Sequence, residues 1–132
     1  MRLLAAWIAA LAALLVLDAI WLGVAMPGFY ARELGPLLLD SPRWDAAAAF
    51  YLLYSFGLVV LAVRPGAPAQ SWSRVIGRSA LFGCVAYATY DLSNLATLRG
   101  WPPVVAAVDI AWGIVISGAA GAAARLVARR GP

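Results

Sequence analysis

Long apolar blocks alternate along this chain with short, punctuated connectors. Four blocks, at about residues 3–25, 45–63, 75–98 and 104–127, are dominated by Ala, Leu and Val. Each is close to the ~20 residues a helix needs to cross a ~30 Å hydrocarbon layer. Period-two alternation is absent, which predicts helices rather than barrel strands. The connectors hold the breakers. Residues 26–44 contain Pro27, Gly28, Gly35, Pro36 and Pro42, residues 64–74 read RPGAPAQSWSR, and residues 99–103 read RGWPP. Inside the first connector, FYARELGPLLL predicts a short helix lying in the interface, with Phe29 and Tyr30 as aromatic anchors. The first block has some marks of a cleavable leader, Arg2 before it and Gly23-Val24-Ala25 near its end. Its length and its interruption by Asp18 and Trp21 favour a retained helix. The pattern predicts an all-α, integral membrane four-helix bundle, one domain over residues 1–132.

Composition agrees with the pattern. Of 132 residues, 64% are hydrophobic and 12% charged, with a mean hydropathy of +0.86; soluble domains run near 45–50% and about 25%. The net charge of +4 comes from ten arginines. They are scattered around the apolar blocks and form no groove-like patch, so nucleic acid is not an expected partner. Arg2, Arg64, Arg74, Arg78, Arg125, Arg129 and Arg130 flank one side of the expected bundle, and only Arg32, Arg43 and Arg99 the other. The positive-inside rule then places both termini in the cytoplasm. With no histidine and a single cysteine, Cys84, the chain has no internal disulfide and lacks the usual ligands for zinc or haem. No cofactor is expected, and only an oxygen-ligated cation suits the residue set.

The candidate chemistry lies in three acids inside the apolar blocks: Asp18 in LVLDAIW, Asp91 in YATYDLSN and Asp109 in AAVDIAW. A charged carboxylate in mid-membrane costs roughly 2.5–3.5 kcal/mol on insertion scales. The predicted topology brings all three to one depth, in the outer half of the bilayer. Tyr51 and Tyr54 fall at the same level. Helical spacing gives stripes: Gly83, Tyr87, Asp91 and Asn94 on the third helix, with Tyr90 beside them, and Asp109, Gly113, Ser117 and Gly121 on the fourth, with Trp112 adjacent. On the first helix Leu14, Asp18, Trp21 and Ala25 share a face. Lipid-facing carboxylates are disfavoured, so the stripes should turn inward. The expected site is Asp18, Asp91, Asp109, Asn94, Tyr51, Tyr54, Tyr87, Tyr90, Trp21 and Trp112. Trp7, Trp44, Trp72 and Trp101 read as interfacial belt residues. A short internal echo, Asp18-x-x-Trp21 and Asp109-x-x-Trp112 on helices of opposite direction, is of the kind left by inverted repeats in transporters.

The segments LDAIWLG, FYARELGPLL, AAFYLLYSFGLVV, YATYDLSNLATLRGWP and VDIAWG resemble those of a family of small bacterial predicted membrane proteins, catalogued as a domain of unknown function. The resemblance runs from about Leu17 to Ser117. It implies four membrane helices in the bacterial inner membrane and brings no established activity. Its gene neighbourhoods point towards membrane-lipid modification and stress functions. The functional expectation is therefore an aspartate-lined pocket for a lipid or small amphipathic ligand, accessory to membrane-lipid modification or stress response. The alternative is a small oligomeric proton- or cation-coupled transporter. An enzyme is less favoured, since no nucleophile elbow, histidine cluster or phosphate loop is present. Expected partners are membrane lipids and either a second copy or a larger membrane enzyme.

Overall fold

The computed structural model describes residues 1–130; the last two residues of the expected 1–132 domain lie outside the described residues. Those residues form helices and connectors, with no strand among them. The helices are α1 (Arg2–Ile20), α2 (Pro27–Leu34), α3 (Trp44–Leu58), α4 (Trp72–Thr97) and α5 (Pro103–Arg130). A wide π-helical turn, Trp21–Ala25, extends α1, and a second, Val59–Val63, extends α3. Local chemistry sets the boundaries. Pro27 and Pro103 open α2 and α5, where a missing N–H is harmless. The Ser71 side chain caps α4 by accepting from the Arg74 N–H at 3.3 Å. Gly35 and Gly100, at φ 41° and 74°, turn the chain after α2 and α4.

Among the described residues, three helical segments are long and apolar enough to cross a membrane: Arg2–Ala25, Trp44–Val63 and Pro103–Arg129. The expected fourth span, α4, is long enough at 26 residues. It falls outside that group because Ser, Thr, Asn, Asp and two arginines dilute its apolar content.

α5 is the centre of the molecule, packed along one side by α4 and along another by α1. Small side chains permit this. Ala6, Ala10 and Leu14 of α1 meet a core completed by Leu58, Val59, Ala62 and Val63 and by Ile116, Ala120 and Ala124 of α5. The outside is apolar: Leu15, Val16, Leu53, Leu61, Leu81, Val85 and Val115 are all exposed. Water would make such a surface a liability, and lipid makes it an ordinary one. The two ends differ chemically. One, the acidic end, holds the close of α1, α2, the start of α3, the close of α4 and the start of α5. The other, the arginine end, holds the N-terminus, the connector 64–71 and the close of α5.

Candidate functional site

The site begins with the seam between α4 and α5. Positions four apart on each helix meet in antiparallel register. Ser79 lies against Gly121, Gly83 against Gly113 and Ser117, and Tyr87 against Gly113. A Cβ at Gly83 would run into the Gly113 carbonyl oxygen and Ser117, and one at Gly113 would run into the Tyr87 ring. Glycine is therefore what lets the two backbones approach. One step further along the seam, Asp91 comes to lie beside Asp109.

Asp18 joins from α1. It continues the buried row Ala6, Ala10, Leu14 at four-residue steps and is only 6% exposed. Its carboxylate is doubly held: Oδ2 accepts from the Tyr51 hydroxyl at 2.7 Å and Oδ1 from the Trp112 indole N–H at 2.8 Å. Asp109 accepts from the Tyr30 hydroxyl at 2.5 Å, and that hydroxyl accepts in turn from the Trp21 indole at 3.0 Å. The two Asp-x-x-Trp segments are thus cross-connected. Trp112 serves Asp18 directly, while Trp21 serves Asp109 through Tyr30. The two indoles stack between them, with centroids 4.2 Å apart and planes at 4°.

Asp91 is different. It is fully buried, and neither of its oxygens has a hydrogen-bond partner. Its polar neighbours are the Asp109 carboxyl and the Trp101 indole, neither placed to form an ordinary hydrogen bond. The Trp101 N–H is itself buried without a partner. No cation reaches the cluster from the first connector: Arg32 pairs with Glu33 at 3.3 Å and Arg43 with Asp45 at 2.9 Å. Among the described residues no three acids or thiols converge as metal ligands would.

The aromatic residues divide into wall and rim. The Tyr54 hydroxyl shares a 2.7 Å hydrogen bond with Ser117, and its ring meets Tyr87 edge-on at 6.1 Å. Tyr90 is 57% exposed, packs edge-on against Trp101, and has Asn94 beside its hydroxyl. Tyr90 and Asn94 therefore sit at the rim, away from Asp18. α3 meets α4 through side chains, the Tyr54 ring lying edge-on to Phe82 at 5.2 Å, and towards the acidic end a gap opens between the two helices. The gap is a cleft of about 600 Å³, lined by Ala46, Phe50 and Tyr54 on one side and by Ala86, Tyr87 and Tyr90 on the other, with Asp109 at its polar end.

Several expectations need correction. Tyr30 is not an interfacial anchor; α2 folds back so that its hydroxyl caps Asp109. Burial, and then the hydrogen bond to Asp109, push the Tyr30 hydroxyl well above the usual tyrosine range, so it stays a donor. Trp101 is not a simple belt residue, since its indole nitrogen is buried beside Asp91. Trp7 ties α1 to α3 by donating to Ser55 at 2.8 Å. Ala25 does not share the Asp18 face: the π-helical turn from Trp21 changes the angular step, and Ala25 is exposed. The sequence signal for Tyr30 was the amphipathic character of its short helix, which gives a polar face but not the direction in which it folds.

Residues 3–126 match a family model described as "Predicted membrane protein (DUF2177)". The chain belongs to this family. No curated protein and no solved structure matches it. The match covers every residue of the cluster just described, so in this DUF2177 protein the acids, their donors and the cleft all fall within the family's span.

Proposed function

We propose that this protein is a four-span protein of the bacterial inner membrane, with both termini in the cytoplasm, that takes an amphipathic ligand sideways from the bilayer. The cleft between α3 and α4 carries the proposal. Its volume, about 600 Å³, falls within the range of small-molecule sites, and its aromatic wall with one convergent carboxylate is the usual composition of such sites. An acyl or isoprenoid tail lies along Phe50, Tyr54 and Tyr87, and a hydroxyl or amine head group donates to Asp109. The α4 helix serves as the fourth span because three hydroxyls of its later half are satisfied within the helix. Thr89 donates to the Val85 carbonyl at 2.7 Å, Thr97 to that of Ser93 at 2.8 Å, and Ser93 to that of Thr89. Such back-bonding lowers the cost of hydroxyls in lipid. Membrane lipids are the immediate partners, and transfer of the held amphipath to a second copy or a larger membrane enzyme gives the accessory role in lipid modification or stress response. Native mass spectrometry of the purified protein tests the reading. A retained amphipath is expected, and Ala86→Trp, which fills the cleft, should abolish it. A delipidated protein with no retained ligand and no thermal shift on adding lipids overturns the proposal.

Asp91 favours a second reading. A fully buried carboxyl without a donor, beside a second carboxyl, is a group suited to exchange a proton, as a proton- or cation-coupled transporter requires. Proton flux in proteoliposomes that is unaltered by Asp91→Asn would exclude it.

A further inference from the structure

Hydrogen-bond donors thin out across the acid cluster from α1 towards α4. Asp18 accepts from two, Tyr51 and Trp112. Asp109 accepts from one, Tyr30. Asp91, fully buried beside Asp109, accepts from none. Of the three acids, Asp109 lines the cleft between α3 and α4, whose walls carry the rings of Phe50, Tyr54, Tyr87 and Tyr90. We propose that this cleft, taken as the ligand site proposed above, selects a cationic head group: a protonated amine or a quaternary ammonium carried on an apolar tail.

Charge comes first. Two carboxyls side by side do not both ionise without a positive charge nearby. One proton shared between Asp91 and Asp109 still leaves a negative charge on the pair. The side chains nearest to it, Tyr30 and Trp101, are neutral donors. The chain has no lysine and no histidine. Arg32 and Arg43 are paired with Glu33 and Asp45, and Arg99 is exposed in the turn after α4. The other seven arginines belong to the opposite end of the molecule, as does the Met1 amino group. At 1.5 Å per residue the start of α1 is roughly 25 Å from Asp18. A cation for the pair therefore has to enter, and the cleft reaches Asp109.

The rings decide between a cation and a hydroxyl. A hydroxyl needs one acceptor and gains little from an aromatic wall. A cation is drawn both to ring faces and to a carboxylate, where its hydrogen bonds are about twice as strong as neutral ones. Phe50 and Tyr54 line the cleft from α3, Tyr87 and Tyr90 from α4. Asp109 has room for the head group, since a carboxylate offers about four acceptor sites and the Tyr30 hydroxyl takes one. An anionic head group meets Asp109 with Asp91 beside it and is repelled.

Thermal-shift titration of the full chain in a maltoside detergent tests the selectivity, with decylammonium, decyltrimethylammonium, decanol and decanoate as probes on one tail. At least one of the cations is expected to bind roughly tenfold or more tighter than decanol, and decanoate not to bind. Ala86→Trp, which fills the cleft, should respond to none of them and sets the background from partition into detergent. Asp109→Asn keeps an oxygen for Tyr30 and removes the charge. It should weaken the favoured cation roughly 10–100-fold and decanol far less. Phe50→Leu keeps an apolar wall and removes one ring. It should weaken that cation roughly two- to fivefold and spare decanol. If Asp109→Asn does not reach parental helicity, Phe50→Leu carries the test, and no loss there overturns the selectivity. Asp40→Asn, exposed at the same end and outside the cleft, should bind as the parent does. Tight binding of decylammonium alone assigns the head group to amines that donate to Asp109; binding of decyltrimethylammonium extends it to quaternary ammonium. Equal binding of cations and decanol by the parent, or equal loss in Asp40→Asn, overturns the cation selectivity and leaves the cleft as a ligand site. No response to any probe, or an undiminished response in Ala86→Trp, removes the cleft itself.

Discussion

Asp18 and Asp91 lie in the same cluster with opposite hydrogen-bonding. Two donors, Tyr51 and Trp112, converge on Asp18, whereas Asp91 has none. Asp18→Ala should therefore destabilise the fold by about 1–3 kcal/mol, because two half-buried donors lose their acceptor; the drop is read as a lower Tm in detergent. Asp91→Asn should leave the Tm unchanged or raise it, since no donor is orphaned and a buried acid is removed. A carboxyl whose removal does not weaken the fold is a group kept for something other than the fold. A clear fall in the Tm of Asp91→Asn would show that its role is structural. Tyr30 gives a pH signature. Its folded pKa lies above the unfolded value, so its contribution is complete below about pH 10 and is lost as the pH rises past that point. Tyr30→Phe should be less stable than the parent at neutral pH, and the gap should narrow in alkaline denaturation above about pH 10. At this scale the acids, the tyrosines and the paired Asp-x-x-Trp segments were legible from residue type and spacing. Tyr30 and Trp101 were not: Trp101 stands in a turn with no helical period, and the short helix that carries Tyr30 has a period that does not fix the direction in which the helix folds.

Among the helices, the seam between α4 and α5 governs the site. The four-residue spacing of small residues on each helix could be read from sequence, because residues four apart share a helix face. Their mutual register could not, since either stripe can slide along the other by one turn and still bury small against small. The chosen register sets Gly83 against Gly113 and Ser117 and so brings Asp91 beside Asp109. Gly83→Ala should cost about 1–3 kcal/mol, since its Cβ meets backbone and the helices must separate. Gly77→Ala, on the same helix with open space around it, should be neutral or better. Equal effects from the two substitutions would mean that the seam does not depend on close approach. The π-helical turns at Trp21–Ala25 and Val59–Val63 had no sequence signature, because both runs are ordinary apolar stretches.

Across the whole molecule, acids and their donors collect at one end together with Arg32, Arg43 and Arg99, most of the other arginines gather at the opposite end, and Leu and Val cover the outside. The proposed topology predicts that, in a Cys84→Ser background, an impermeant maleimide added to intact cells labels Leu39→Cys and not Ala67→Cys. The reverse pattern would invert the orientation. Sequence alone determined that the chain is helical and membrane-embedded, and which acids are expensive, because hydropathy and helical period are local properties summed over about 20 residues. Tertiary structure alone decided that Trp112 and Tyr51 hold Asp18, that α2 folds back so that Tyr30 holds Asp109, and that Asp91 is left without a donor. It also decided that α3 and α4 part to open a cleft. These are contacts between residues far apart in the chain. They depend on helix register and on the direction of a connector, and no local pattern encodes either.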